Sequence, residues 1–243
     1  MPVPAALAGD YLVVTGKELG RPFHLYIRHP ESYATNPQMR FPIVYILDGD
    51  SLFPALAPTQ LFTEIDDNID EAIVVGIAYG SFASPINMRR TDFDTNAPAF
   101  ARFLASELIP AVEARVRADP ARRILFGQSR GGTYALFDAW TQPDLFQARI
   151  ASNPTLDHPR LAEPPAPATR RDLKVYVSSG ERDRPEYRDR ALAAFGRWKG
   201  SAWPWTFRTT TMPGGTHAAD ASRVYRWAIR DALAPVPAPN AKP

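Results

Sequence analysis

The chain has 243 residues, 28 Lys+Arg against 26 Asp+Glu, four histidines and no cysteine. That length suits one large α/β domain or two small ones, and a formal charge of +2 gives no electrostatic case for nucleic acid. The missing cysteine excludes a thiol nucleophile, a disulfide framework and a thiolate zinc site.

The first nine residues, MPVPAALAG, lack a basic segment followed by a long apolar one, so they do not read as a signal peptide. No apolar run is long enough to span a membrane. A cytoplasmic location is the expectation, with the periplasm as the alternative if a leader has been removed.

Short β-branched or aromatic runs predict eight strands in chain order. They are Tyr11–Thr15, Phe23–Arg28, Ile43–Leu47, Ile73–Ala78, Ile124–Phe126, Ala148–Ser152, Leu173–Ser178 and Thr206–Thr211. The first two alternate in polarity and read as antiparallel edge strands. IVYIL and IVVGIA are continuously apolar, as in strands buried on both faces. Helical patterns fall at Pro98–Ala118, Gly131–Thr141, Pro185–Lys199 and Ala218–Leu233. Pro110 should bend or break the first of these. Strands separated by helices imply a mostly parallel sheet with helices on both faces. The expected organisation is one α/β domain over residues 1–234 and a disordered Pro-rich tail over 235–243. Pro154–Thr169 reads as a surface loop, with four prolines between Pro159 and Pro167.

Residues Gly127-Gln128-Ser129-Arg130-Gly131 follow an apolar strand and precede a helix, which is G-x-S-x-G in a strand–turn–helix setting. A nucleophile at such an elbow takes a strained backbone, and flanking glycines avoid collisions there. Ser129 is the candidate nucleophile. Chain order then puts the acid and the base after it. His24 and His29 precede it and read as structural, and His158 lies in the proline-rich loop. His217, in MPGGTH after the last strand, is the candidate base. The turn Gly180-Glu181-Arg182-Asp183 offers the acid. Asp183 is preferred, Glu181 is the main rival, and Glu186 and Asp189 are weaker. The amides of Arg130 and Asp50 are the candidate oxyanion donors. No metal or cofactor is called for. Tyr79 could line the pocket, and Trp198, Trp203 and Trp205 read as packing.

With these residues in place, PIVYILDGD, AIVVGIAY, RRTDF, the segment Phe103–Gly132 and GGTH resemble the esterase-D / enterochelin-esterase group of α/β-hydrolases. The resemblance implies an eight-stranded α/β-hydrolase sheet without a large cap domain. It also implies carboxylic-ester hydrolysis through Ser129 and His217, with Asp50 in the oxyanion hole and Arg89 or Arg90 with Asp92 near the site mouth. The expected partner is a small-molecule ester, short-acyl, aryl or siderophore-type, with no nucleic acid or membrane. Acyl transfer or thioester cleavage by the same triad is the alternative, and a noncatalytic binding protein is the alternative of another class. Short loops predict an open, shallow site. Arg130 stands where the group usually has an apolar residue. A salt bridge from Arg130 to Asp50 is expected, with recognition of an acidic acyl group by Arg130 as the rival.

Overall fold

The computed structural model describes residues 9–199 and 203–235. Eight strands form one sheet in the order β1-β2-β4-β3-β5-β6-β7-β8. They are β1 (Gly9–Gly16), β2 (Arg21–Arg28), β3 (Phe41–Ile46), β4 (Ile73–Ala78), β5 (Ala118–Gln128), β6 (Ala148–Ser152), β7 (Lys174–Gly180) and β8 (Thr206–Met212). β1 pairs antiparallel with β2, and β2 antiparallel with β4. Every later pairing is parallel. Only β1 is an antiparallel edge; β2 lies inside the sheet, and the opposite edge, β8, is parallel.

The helices are α1 (Gly49–Asp67), α2 (Arg89–Asp92), α3 (Ala97–Phe103), α4 (Ile109–Glu113), α5 (Arg130–Thr141), α6 (Pro185–Trp198) and α7 (Ala221–Ala232). Phe53, Leu56 and Ala57 of α1 share a core with Val224, Tyr225 and Ile229 of α7 on one face of the sheet. α3, α4 and α5 pack on the other face, joined by α6 through Trp140, Ala194 and Trp198. Each face is therefore covered, which is why β3 and β4 are buried along their whole length. Among the described residues no helix is long and apolar enough to cross a membrane.

Two helical expectations need correction. Pro98–Ala118 is not one helix. It runs as α3, a π-helical turn at Leu104–Leu108 and then α4, with Pro110 in the first turn of α4. There the missing N–H costs nothing, and the wider turn absorbs the ring. Ala118 already belongs to β5. The 19-residue helix α1 was not foreseen. It carries Pro54 and Pro58 in its interior and has no sharp polar face, because its outward side exposes Phe62 and Ile65 while its inward side buries Gln60 and Thr63. Smaller differences concern boundaries: α5 begins at Arg130 and α7 at Ala221. The amino-terminal residues 1–8 and the expected tail beyond Pro235 lie outside the described residues.

Candidate active site

β3 and β5 are parallel neighbours, and the amide of Leu47 bonds the carbonyl of Phe126 at 3.0 Å. The two strands therefore end side by side, each passing directly into a helix. Ser129 sits at the second of these junctions with φ 57° and ψ −118°, a strained backbone for a residue with a side chain. The Ser129 amide bonds Ser152 O at 2.9 Å, and its carbonyl accepts the Thr133 amide at 3.0 Å. A Cβ on Gly127 would run into the Gly131 carbonyl, so the elbow cannot close around any other residue there.

The loops after β7 and β8 deliver the other two groups. His217 Nε2 lies 2.8 Å from Ser129 Oγ. His217 Nδ1 lies 3.0 Å from both carboxylate oxygens of Asp183. Asp183 is buried, and its Oδ1 also accepts the Arg184 amide at 2.7 Å. The structure thus brings Ser129, His217 and Asp183 into one hydrogen-bonded line. Glu181, the rival acid, is turned away: its Oε2 accepts the Gly214 amide at 2.6 Å. Glu186 and Asp189 are exposed on α6. The Tyr187 ring lies 4.9 Å from the His217 imidazole and flanks it.

The other histidines lie elsewhere. His24 bonds the Tyr11 hydroxyl and packs against Gly80. His29 stacks on Tyr33, and burial pulls its pKa below the ordinary value against the opposing pull of Asp10. His158 caps a short 3₁₀ turn by accepting the Arg160 amide at 3.2 Å. Trp203 and Trp205 stack together against Trp140, beside Trp198, as packing.

The amides of Asp50 and Arg130 open α1 and α5, where a helix has donors without intrahelical acceptors. Added charge at these helix starts would be favoured by both dipoles. The two starts approach closely, since a Cβ on Gly131 would lie 3.1 Å from Asp48 Oδ2. The expected Arg130–Asp50 salt bridge is absent. Arg130 pairs with Asp94 at 2.9 Å, and the Asp50 carboxylate accepts the amides of Tyr79 (2.7 Å) and Gly80 (3.0 Å). The backbone amides after β4 outcompete a distant guanidinium for that carboxylate. In the RRTD segment Arg89 and Asp92 have separate partners. Arg89 makes a two-pronged bond to Asp48, at 2.7 and 2.8 Å. Asp92 is buried and accepts from Arg21 and, at 2.9 Å, from the Tyr79 hydroxyl. Tyr79 is therefore a buried strut, and burial beside Asp92 pushes its hydroxyl pKa well up.

Three contributors were not singled out from sequence. Asp48 takes a left-handed backbone (φ 55°) and is fixed by Arg89. Gln128 donates its side-chain amide to the His217 carbonyl. Asn153, also left-handed (φ 42°), donates to the carbonyls of Thr216 (2.9 Å) and His217 (3.0 Å). The available signal was position alone: Gln128 adjoins Ser129, and Asn153 follows the neighbouring strand.

A cleft of about 420 Å³ lies beside this line of residues, bordered by Asp48, Asp50, Phe82, Arg89, Gln128 and Ala218. A second hollow of about 580 Å³ adjoins it, sharing Asp50 and Phe82. That hollow, between the β1–β2 hairpin and α1, was not foreseen from sequence.

The chain resembles several esterases. It is 26% identical over 167 residues to the ferri-bacillibactin esterase BesA of Bacillus subtilis, covering 59% of this chain and 57% of that protein. It is 28% identical over 171 residues to the siderophore triacetylfusarinine C esterase of Aspergillus fumigatus, covering 64% of this chain and 59% of the relative. The chain thus spans under two thirds of the length of these curated relatives. Among solved structures, the siderophore hydrolase EstB of Aspergillus nidulans superposes with TM-score 0.79 at 18% identity, covering 95% of this chain and 97% of that one. The BES protein of Bacillus cereus gives 0.77 at 20% identity, covering 93% and 95%. These likenesses show a shared α/β-hydrolase fold. The Esterase family model, described as "Putative esterase", matches residues 16–233. With nearly the whole described chain inside that match, the protein belongs to this esterase family, in its enterochelin-esterase-like group.

Proposed function

We propose that the protein is a serine hydrolase of carboxylic esters, with Ser129 as nucleophile, His217 as general base and acid, and Asp183 as the group that orients His217. The observation that carries this reading is the unbroken line Asp183–His217–Ser129 at hydrogen-bond distances, at the strained elbow of an esterase-family fold.

In the first step Ser129 Oγ attacks the acyl carbon while His217 Nε2 takes its proton. Asp183 accepts the Nδ1–H bond, which fixes the tautomer and stabilises the imidazolium. The developing oxyanion lies against the amides of Asp50 and Arg130. Collapse of the intermediate breaks the bond to the leaving oxygen, which receives the proton from His217. Water, deprotonated by His217, then attacks the acyl-enzyme, and Ser129 Oγ leaves with that proton. The relatives are esterases, which favours hydrolysis over acyl transfer and makes siderophore-type esters one substrate class to test.

Treatment with diisopropyl fluorophosphate followed by peptide mass spectrometry is the direct test. One phosphoryl adduct on Ser129, with parallel loss of ester turnover, is the expected result. An adduct elsewhere, or undiminished turnover in the labelled protein, would overturn the assignment.

A further inference from the structure

The hollow beside the cleft has a wall of aromatic rings. Tyr11 and Tyr26 lie 5.7 Å apart between centroids, and Tyr26 and Phe53 likewise 5.7 Å apart. Pro54 of α1 and Phe82 of the loop after β4 complete the lining. At about 580 Å³ it falls within the usual range for a small-molecule pocket. It adjoins the cleft beside Gln128, since Asp50 and Phe82 border both.

Two features set its chemistry. Phe82 is 74% exposed at the shared rim, a large ring that no described residue covers. Among the described residues no lysine, arginine or histidine lines the hollow, and its carboxylate-bearing residues are Asp10 and Asp50. Asp10 is opposite Ile27 in the β1–β2 register, and Ile27 is buried in the core on the α3–α5 face. The Asp10 side chain therefore points to that face, where it meets His29 at 3.2 Å. Asp50 is the charge that faces the hollow. Two backbone amides hold it in place. Burial, together with the field of Asp50, raises the pKa of the nearby Tyr26 hydroxyl, so that group stays a neutral donor.

We propose that this annex receives a ring-sized apolar group of the substrate ester and excludes one that carries a negative charge. The inference rests on the esterase reading above and narrows its substrate class. The rings of Tyr11, Tyr26, Phe53 and Phe82 supply apolar contact and offset stacking. Desolvating a carboxylate among them, against fixed Asp50, has nothing to offset it.

The test uses three matched esters bearing a phenyl ring, a 4-carboxyphenyl ring or no ring. Each ring is separated from the ester by three methylenes so that intrinsic reactivity is equal. One set places it on the acyl side and another on the alcohol side, assayed at pH 8, where an ordinary imidazole is neutral. On one of the two sides, kcat/KM should be about tenfold higher for phenyl than for no ring, and about tenfold or more lower for carboxyphenyl than for phenyl. Tyr26→Ala should erase the phenyl advantage while leaving the ringless ester within about twofold. Phe82→Lys, at an exposed position that the fold does not depend on, should raise the carboxyphenyl ester relative to phenyl by about tenfold.

Equal rates for all three esters on both sides, or an unchanged charge preference in Phe82→Lys, would overturn the annex while turnover of the ringless ester kept the esterase reading. No turnover of any ester, with no fluorophosphate adduct, would overturn both.

Discussion

The two sides of Ser129 are built differently. On the base side, the loops after β7 and β8 are tied mainly through the main chain. Arg182 N bonds Gly215 O at 2.7 Å, Glu181 N bonds Met212 O at 3.1 Å, and Gln128 and Asn153 hold the His217 carbonyl. On the oxyanion side, the two helix starts are fixed by charged side chains drawn from afar: Arg89 on Asp48, Arg130 on Asp94, and Asp50 on the Tyr79 and Gly80 amides. Redundant main-chain ties should tolerate loss of a single side chain. An ion pair beside an oxyanion site should not, because the surviving charge stays behind.

The reacting groups themselves set the scale against which both sides are judged. Ser129→Ala and His217→Ala should each lower kcat by about 10⁴-fold or more, and Asp183→Asn by about 10³- to 10⁴-fold. Steady-state kinetics on a short ester would measure this. A drop of less than tenfold in Asp183→Asn would mean that the 3.0 Å contacts to His217 Nδ1 do not orient the base.

Arg89→Ala comes next and tests the oxyanion side. Asp48 is nearly buried, and its Oδ2 lies close to Gly131. Without Arg89 an unpaired carboxylate would oppose the oxyanion, so kcat should fall by about tenfold to a hundredfold with KM little changed. Adding Asp48→Asn to Arg89→Ala should restore part of that loss, since asparagine tolerates the left-handed backbone and brings no charge. If the double variant is as slow as the single one, the defect lies in loop geometry and the charge argument is wrong.

Asn153→Ala is the corresponding test on the base side, and its effect should be smaller, at about tenfold or less in kcat, because Gln128 still holds the His217 carbonyl. Alanine at φ 42° adds strain, so Asn153→Gly serves as the control that removes the donor without it. A larger loss in Asn153→Gly than in Arg89→Ala would reverse the comparison.

The same division explains what was legible in the sequence. The proposed nucleophile, base and acid sit at the ends of strands whose apolar runs are plain, and the chain order of an elbow fold points to them. β4 and β6 matched their sequence runs to the residue. The partners of Arg130, Arg89 and Asp50 were not legible. A guanidinium reaches several carboxylates, and which one it meets depends on how α2 and the loop after β4 fold across the helix starts. Helix α1 was hidden for another reason: Phe62 and Ile65 stay exposed while Gln60 and Thr63 are buried, which erases the polar stripe, and Pro54 and Pro58 mimic a loop.

Arg130→Leu should have the smallest effect. The amide proposed to face the oxyanion belongs to the backbone and survives the change. The guanidinium it loses is spent on Asp94, in a pair with side chains 25% and 42% exposed. Such a pair contributes less than about 1 kcal/mol to stability, and salt screens it further. Urea unfolding should therefore shift by no more than that amount, and less in high salt. The ratio of kcat/KM for neutral and anionic esters should stay the same, because Arg130 is turned to Asp94 and the charge preference is assigned to the annex bordered by Asp50 and Phe82. A severalfold change in that ratio would mean that Arg130 leaves Asp94 to meet substrate. The charged side chains around the oxyanion site would then select substrate as well as hold the two helix starts in place.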